Sequence, residues 1–140
     1  MSKVAIVFWS ATGNTETMAN CIAEGAGANC TLVPCGEMTP AKLAEFDVVA
    51  FGCPAMGAEQ LEESEFEPMF AALEGSLNGK KIALFGSYGW GDGQWMRDWV
   101  SRFENAGAVI VGGEGVICVE APDDEAVNAC KKLGNELAAE

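Results

Sequence analysis

The sequence predicts an α/β protein in three layers, a five-stranded parallel sheet with helices packed on both faces. Three observations predict it. Short apolar runs alternate with amphipathic helical patterns along the chain. The runs are continuous rather than alternating, which is how strands buried on both faces read. The β-α unit recurs five times within 140 residues, the size of one doubly wound domain spanning residues 1–140.

The elements follow in order. Residues 4–9 (Val-Ala-Ile-Val-Phe-Trp) form the first strand. Met18, Ala19, Ile22 and Ala23 then share one helical face. The weaker run 30–33 suits an outer strand. Thr39-Pro40 reads as a cap followed by a first-turn proline, opening a short helix before the third strand at 48–51. Phe66, Met69, Phe70 and Leu73 mark the next helix, with Pro68 near its start. The fourth strand falls at 82–85. Trp95, Met96, Trp99, Val100 and Phe103 make a broad core stripe that Gly107 is placed to end. A fifth strand at 108–111 and a last stripe of Ala126, Val127, Cys130, Leu133 and Leu137 complete the chain.

Composition narrows the function. The chain has 21 acidic and 8 basic residues, a net charge of −13. Nucleic acid and anionic membrane surfaces both need a basic face, so neither is a partner. A protein with a basic docking face is compatible. Histidine is absent, which excludes imidazole metal sites and Ser-His or Cys-His catalysis. Cysteines stand at 21, 30, 35, 53, 118 and 130, with no C-x-x-C spacing, so no zinc or iron–sulfur site is expected. They read as small buried hydrophobes in a reducing compartment. No run reaches the ~18 apolar residues of a membrane span and no signal peptide is legible, so a cytoplasmic location is expected.

In such a sheet a ligand sits beyond the carboxyl ends of the strands. Four loops lie there, at 10–15, 53–59, 87–93 and 112–115. Ser10-Ala11-Thr12-Gly13-Asn14-Thr15 offers three hydroxyls, one amide and backbone N–H groups at a helix start. That is an anion site, and Gly13 lets the backbone approach closely. No lysine adjoins it and G-x-x-x-x-G-K-[ST] is missing, so it suits a single phosphate group. The same residues also suit an ordinary cap and turn. In Pro54-Ala55-Met56-Gly57-Ala58-Glu59, Met56 offers a polarizable contact for a ring and Glu59 an acceptor for a ring N–H. In Ser87-Tyr88-Gly89-Trp90-Gly91-Asp92-Gly93, glycines bracket a Trp able to stack on a planar ligand. An ordinary turn and a Trp packed on its own domain are the plainer alternatives. One phosphate and one flat ring between Met56 and Trp90 together suggest flavin mononucleotide.

Those three loops resemble the signature loops of the short-chain flavodoxins. Residues 10–15 resemble the family's phosphate loop, T/S-x-T-G-N-T. Gly52-Cys53-Pro54-Ala55-Met56-Gly57, with Glu59, resembles its inner flavin loop, and Phe85-Gly86-Ser87-Tyr88-Gly89-Trp90-Gly91 its outer one. The likeness covers the whole chain. It implies a flavodoxin-like three-layer sandwich with strand order 2-1-3-4-5 and non-covalently bound FMN. It implies that Met56 and Trp90 flank the isoalloxazine, that the Gly57 carbonyl turns to accept from N5–H of the semiquinone, and that Glu59 pairs with the ring N3–H. Ala58, in a position variable in the family, brings no polar group. The function so implied is a low-potential one-electron carrier that shuttles between redox partner proteins, reductase-type donors and low-potential acceptors with basic faces. Such a carrier has no substrate turnover of its own, and a monomer is the default. Glu59, Glu62, Glu63, Glu65, Glu67 and Glu74 read either as a docking rim or as a solvated helix start.

Two competitors fare worse. A phosphoacceptor receiver domain needs an Asp ending the third strand, where this chain has Cys53. A flavoenzyme would need a second substrate site, and the short loops offer none.

Overall fold

Val4, Ala5, Ile6 and Val7 are all buried in β1 (Val4–Phe8), as a strand covered on both faces requires. The computed structural model describes residues 3–9, 13–28, 30–53, 65–88, 94–111, 115–119 and 122–139. Over these the chain runs through β1, α1 (Asn14–Ala26), β2 (Cys30–Pro34), α2 (Pro40–Leu43), β3 (Val48–Gly52), α3 (Phe66–Leu73), β4 (Lys81–Tyr88), α4 (Gln94–Asn105), β5 (Val109–Ile110), β6 (Val116–Val119) and α5 (Asp124–Ala139). All strand pairs are parallel, in the order β2-β1-β3-β4-β5. The three-layer fold and its strand order are those expected.

The outer strand differs from expectation in one respect. It is two segments, β5 and β6, both paired to β4. β4 continues past Phe85 to Tyr88, longer than the 82–85 run suggested, and its far half takes Val116–Val119 as a neighbour. The loop after the outer strand therefore follows Val119 rather than occupying 112–115. Gly115, at φ +105°, is the turn into β6.

Strand side chains alternate between two cores. On one face Ala5, Val7, Val49, Phe51, Ile82 and Leu84 meet α3 and α4. Phe66, Phe70, Trp99 and Phe103 interlock there, with Phe66–Trp99 and Phe70–Phe103 centroids 5.3 and 4.7 Å apart. On the other face Val4, Ile6, Val48, Ala50, Ala83 and Phe85 meet Met18, Ala19 and Ile22 of α1 and Cys130, Leu133 and Leu137 of α5. Trp95 and Trp99 are core residues, as the stripe predicted, and Trp9 packs half-buried against the α3–α4 side. Thr39 caps α2 by accepting from the Lys42 amide at 3.2 Å, and Gly107 ends α4 at φ +88°.

Candidate cofactor site

Parallel register brings the strand ends to one level. Phe8 stands opposite Gly52, and Gly52 opposite Phe85. β4 and β6 extend three residues further, to Tyr88 and Val119. The chain leaves that edge at Trp9, Cys53 and Tyr88, into the three loops singled out above.

α1 starts there. Its N-cap, Gly13, sits at φ +92° in the left-handed region, which an L side chain adopts only with strain. A Cβ at Gly13 would meet nothing within 4 Å, so the φ, not lack of room, requires glycine. Being glycine, the cap has no side-chain acceptor for the first-turn N–H groups. The positive end of a 13-residue helix is thus presented to the edge of the sheet. The Gly13 carbonyl accepts from the Thr17 amide and hydroxyl, each at 2.9 Å.

Thr15, in the first turn of α1, and Ser87, near the end of β4, are the buried polar side chains among the described residues, 1% and 4% exposed. Their hydroxyl oxygens lie 3.3 Å apart. One bond between two hydroxyls uses one proton and leaves the other to be donated elsewhere. A buried hydroxyl proton is costly without an acceptor. Beside a helix N-terminus, the acceptor this pair suits is an anionic oxygen.

Around the other two loops the structure fixes the stems. Cys53 is fully buried, and its carbonyl accepts from the Trp95 indole N–H at 3.2 Å. Tyr88 packs on Trp95 with centroids 5.3 Å apart. Gly86 passes so close to the Cys53 carbonyl that a Cβ would clash with it. Beyond the inner loop, Arg102 grips the first turn of α3. Its Nη1 and Nη2 bond both oxygens of Glu67 at 2.6 and 2.7 Å, and its Nε and Nη2 bond Glu74 at 3.0 and 2.8 Å. The guanidinium also lies 4.5 Å over the Phe70 ring. The Arg102 bond holds the Glu74 carboxyl below its usual range, and the two carboxylates raise the already high pKa of Arg102. Two members of the acidic run thus face an internal cation.

Of the residues singled out from sequence, Gly13, Asn14, Thr15, Ser87 and Tyr88 come together at this edge. Ser10, Ala11, Thr12, Pro54, Ala55, Met56, Gly57, Ala58, Glu59, Gly89, Trp90 and Gly91 lie outside the described residues. Sequence reasoning placed Trp95 in the core but found neither its bond to Cys53 nor the Arg102–Glu67 fork, because these partners are distant in the chain. It also did not find a cavity of about 330 Å³ at the end of β4 and β6, lined by Tyr88, Val116, Ile117, Cys118, Asp123 and Ala126. Its size is at the lower bound for small-molecule sites.

The flavodoxin family model matches residues 6–132. The chain belongs to the flavodoxin family. It is 47% identical over 138 residues to the flavodoxin of Megasphaera elsdenii, covering 96% of this chain and 98% of that one. It is 45% identical over 136 residues to the flavodoxin of Clostridium beijerinckii, covering 95% and 97%. The solution structure of two-electron reduced Megasphaera elsdenii flavodoxin superposes with a TM-score of 0.88, at 46% identity over 98% of this chain and 99% of that one. An archaeal flavodoxin, 23% identical with a TM-score of 0.83, shares the fold.

Flavodoxins are FMN-binding electron carriers, so FMN is the group against which the site is tested. The described residues fit it. The left-handed Gly13, the uncapped start of α1 and the spare hydroxyl proton of the Thr15–Ser87 pair together suit a phosphate monoester. The chain enters the two loops expected to hold the ring at Cys53 and Tyr88, on the same edge of the sheet.

Proposed function

We propose that this chain is a low-potential, one-electron carrier with one non-covalent FMN, formed as one domain over residues 1–140. It has no substrate turnover of its own and works as a cytoplasmic monomer between basic-faced redox proteins. The observation that carries the cofactor reading is the buried Thr15–Ser87 hydroxyl pair beside the glycine-capped start of α1.

FMN supplies the one-electron chemistry when bound, and the protein supplies position and electrostatics. Residues 10–15 hold the phosphate. Thr15 and Ser87 share the donor work, since both are buried and already in contact. Ser10, Ala11 and Thr12 contribute hydroxyls and amides from the loop, while Asn14 lies in the first turn. Pro54, Ala55, Met56, Gly57, Ala58 and Glu59 line one side of the ring, with Met56 as the flat contact and Glu59 as an acceptor. Tyr88, Gly89, Trp90 and Gly91 line the other, with Trp90 stacked. Two apolar walls exclude water, and a net charge of −13 disfavours added negative charge at the ring, which lowers the potential. The same charge favours encounter with basic partners, more strongly at low salt. Glu67 and Glu74 are bound to Arg102, so the docking role falls on the rest of the acidic surface. Among the described residues no helix is long and apolar enough to cross a membrane.

Stepwise anaerobic reduction followed by visible absorption tests this reading. The expected result is a yellow protein reduced in two resolved one-electron steps, with no NADPH consumption unless a reductase is added. Reduction in a single two-electron step, or NADPH oxidation by the protein alone, would indicate a flavoenzyme. A colourless protein that takes up no added FMN would remove the cofactor reading.

A further inference from the structure

The inner loop leaves the sheet after Gly52, the end of β3, and the chain reaches α3 at Phe66. A binding loop is positioned by whatever holds its stems. Here both stems are held, and by the same helix. At the entrance, the indole N–H of Trp95, in the first turn of α4, bonds the carbonyl of Cys53 at 3.2 Å. At the exit, the guanidinium of Arg102, in the last turn of α4, bonds both carboxylate oxygens of Glu67 at 2.6 and 2.7 Å. Two further bonds to Glu74 and the stack on Phe70 give Arg102 its place on α3.

We propose that α4 is a bracket for the inner loop, with Trp95 and Arg102 as positioning residues that set the separation of its stems and hence its affinity for the flavin ring. Three features distinguish this from an incidental ion pair. A lone exposed pair contributes little, whereas this fork uses four hydrogen bonds on a half-buried guanidinium over a ring. The Trp95 bond is buried, where geometry is most strictly held. The outer loop also ends at α4, which begins at Gln94, so one rigid helix indexes both loops expected to hold the ring. The phosphate loop feeds α1, on the opposite face of the sheet, and lies outside the bracket.

The inference rests on the FMN reading above, and the test separates their failures. Apoprotein of the parent, R102M, R102K and W95F is titrated with FMN and with riboflavin, which lacks the phosphate, and each apoprotein is also melted. The bracket predicts that R102M and W95F weaken both flavins by the same factor, about fivefold or more, equivalent to ~1 kcal/mol. The FMN-to-riboflavin ratio stays at the parent's value. R102K behaves as R102M, because an ammonium cannot reproduce the fork. Should R102M not fold, E67Q takes its place, since it removes the charge that the fork grips while keeping the side-chain shape.

Parent-like affinity for both flavins in R102M and W95F, with only the melting temperature lowered, would overturn the bracket. So would a changed FMN-to-riboflavin ratio, which would place the effect at the phosphate, or full rescue by R102K, which would make charge rather than geometry the agent. A parent that takes up neither flavin overturns the cofactor reading itself, and that result is read before any variant is compared.

Discussion

The two helical layers of this sandwich are held by opposite means. Between α1 and α5 the backbones themselves touch. A Cβ placed on Gly134 would stand 2.7 Å from the Ala26 amide nitrogen and still closer to the Ile22 carbonyl oxygen, and one on Gly25 would strike the Lys131 carbonyl. Between α3 and α4 the helices stand apart, and the space is filled by Phe66, Phe70, Trp99 and Phe103, with Arg102 closing the rim. Contact between backbones leaves no slack. Rings at several angles set the spacing through side-chain packing instead, with Arg102 fixing the rim. The difference follows the division of labour. The close-packed layer carries the helix whose N-terminus is proposed to hold the phosphate, a group that needs a fixed donor array. The aromatic layer carries the stems of both loops proposed to bind the ring.

The sharpest way to break the comparison is to add one carbon to the tight layer. In an exposed helix, Gly→Ala gains about 1 kcal/mol from propensity. At Gly134 the added methyl must push two helices apart, and overpacking of that kind costs about 3 kcal/mol. Gly134→Ala is therefore expected to destabilise by about 2 kcal/mol net. Urea unfolding at constant m-value measures it. A stabilised variant would show that the backbones do not touch. In the aromatic layer, Phe70→Leu alters a larger group yet is expected to cost less, about 1.5 kcal/mol, from lost ring contacts with Phe51, Trp99 and Phe103. If Phe70→Leu proved the more damaging, the aromatic layer would be the rigid one.

The same contrast explains what was legible in the sequence. The apolar face of each helix and the continuous strands were readable, because periodicity is a property of one segment. Met18 and Ile22, Phe66 and Phe70, and Trp95 and Trp99 are buried where their spacing placed them. The hydroxyl-rich start of α1 was readable for the same reason. The meeting of Thr15 with Ser87, 72 residues apart, was not, nor was Arg102 with Glu67, since pairing across the fold is invisible to a local pattern. Nor was the role of Gly25 and Gly134 readable, since each is a contact point between α1 and α5. The glycines at 112–115 marked the end of the outer strand in the sequence, but the chain turns at Gly115 and resumes beside β4. The extension of β4 to Tyr88 created the demand for that second segment, and nothing within 112–119 states it.

A smaller effect sharpens the comparison through pH. The α1/α5 layer gathers thiols: burial pushes Cys130 up from 9.0 to about 12, with Cys21 and Cys118 adding to the shift. Below pH 9 the thiol is protonated whether the chain is folded or not, and it contributes no pH dependence. Above pH 9 the unfolded chain releases the proton while folded Cys130 keeps it, so stability falls as pH rises toward 12. Cys30, pushed up to about 11 by burial in part, acts in the same direction but is partly exposed and so weaker. Between pH 9 and 10 the loss from one such thiol stays below about 1.4 kcal/mol, the value of one pH unit. Cys130→Ala should lower stability at pH 7 slightly, through the lost packing, yet flatten the decline above pH 9. The slope of unfolding free energy against pH, rather than its level, is the measurement. An unchanged slope would mean that the folded thiol ionises as freely as the unfolded one, and that the tight layer admits water where its packing says it does not.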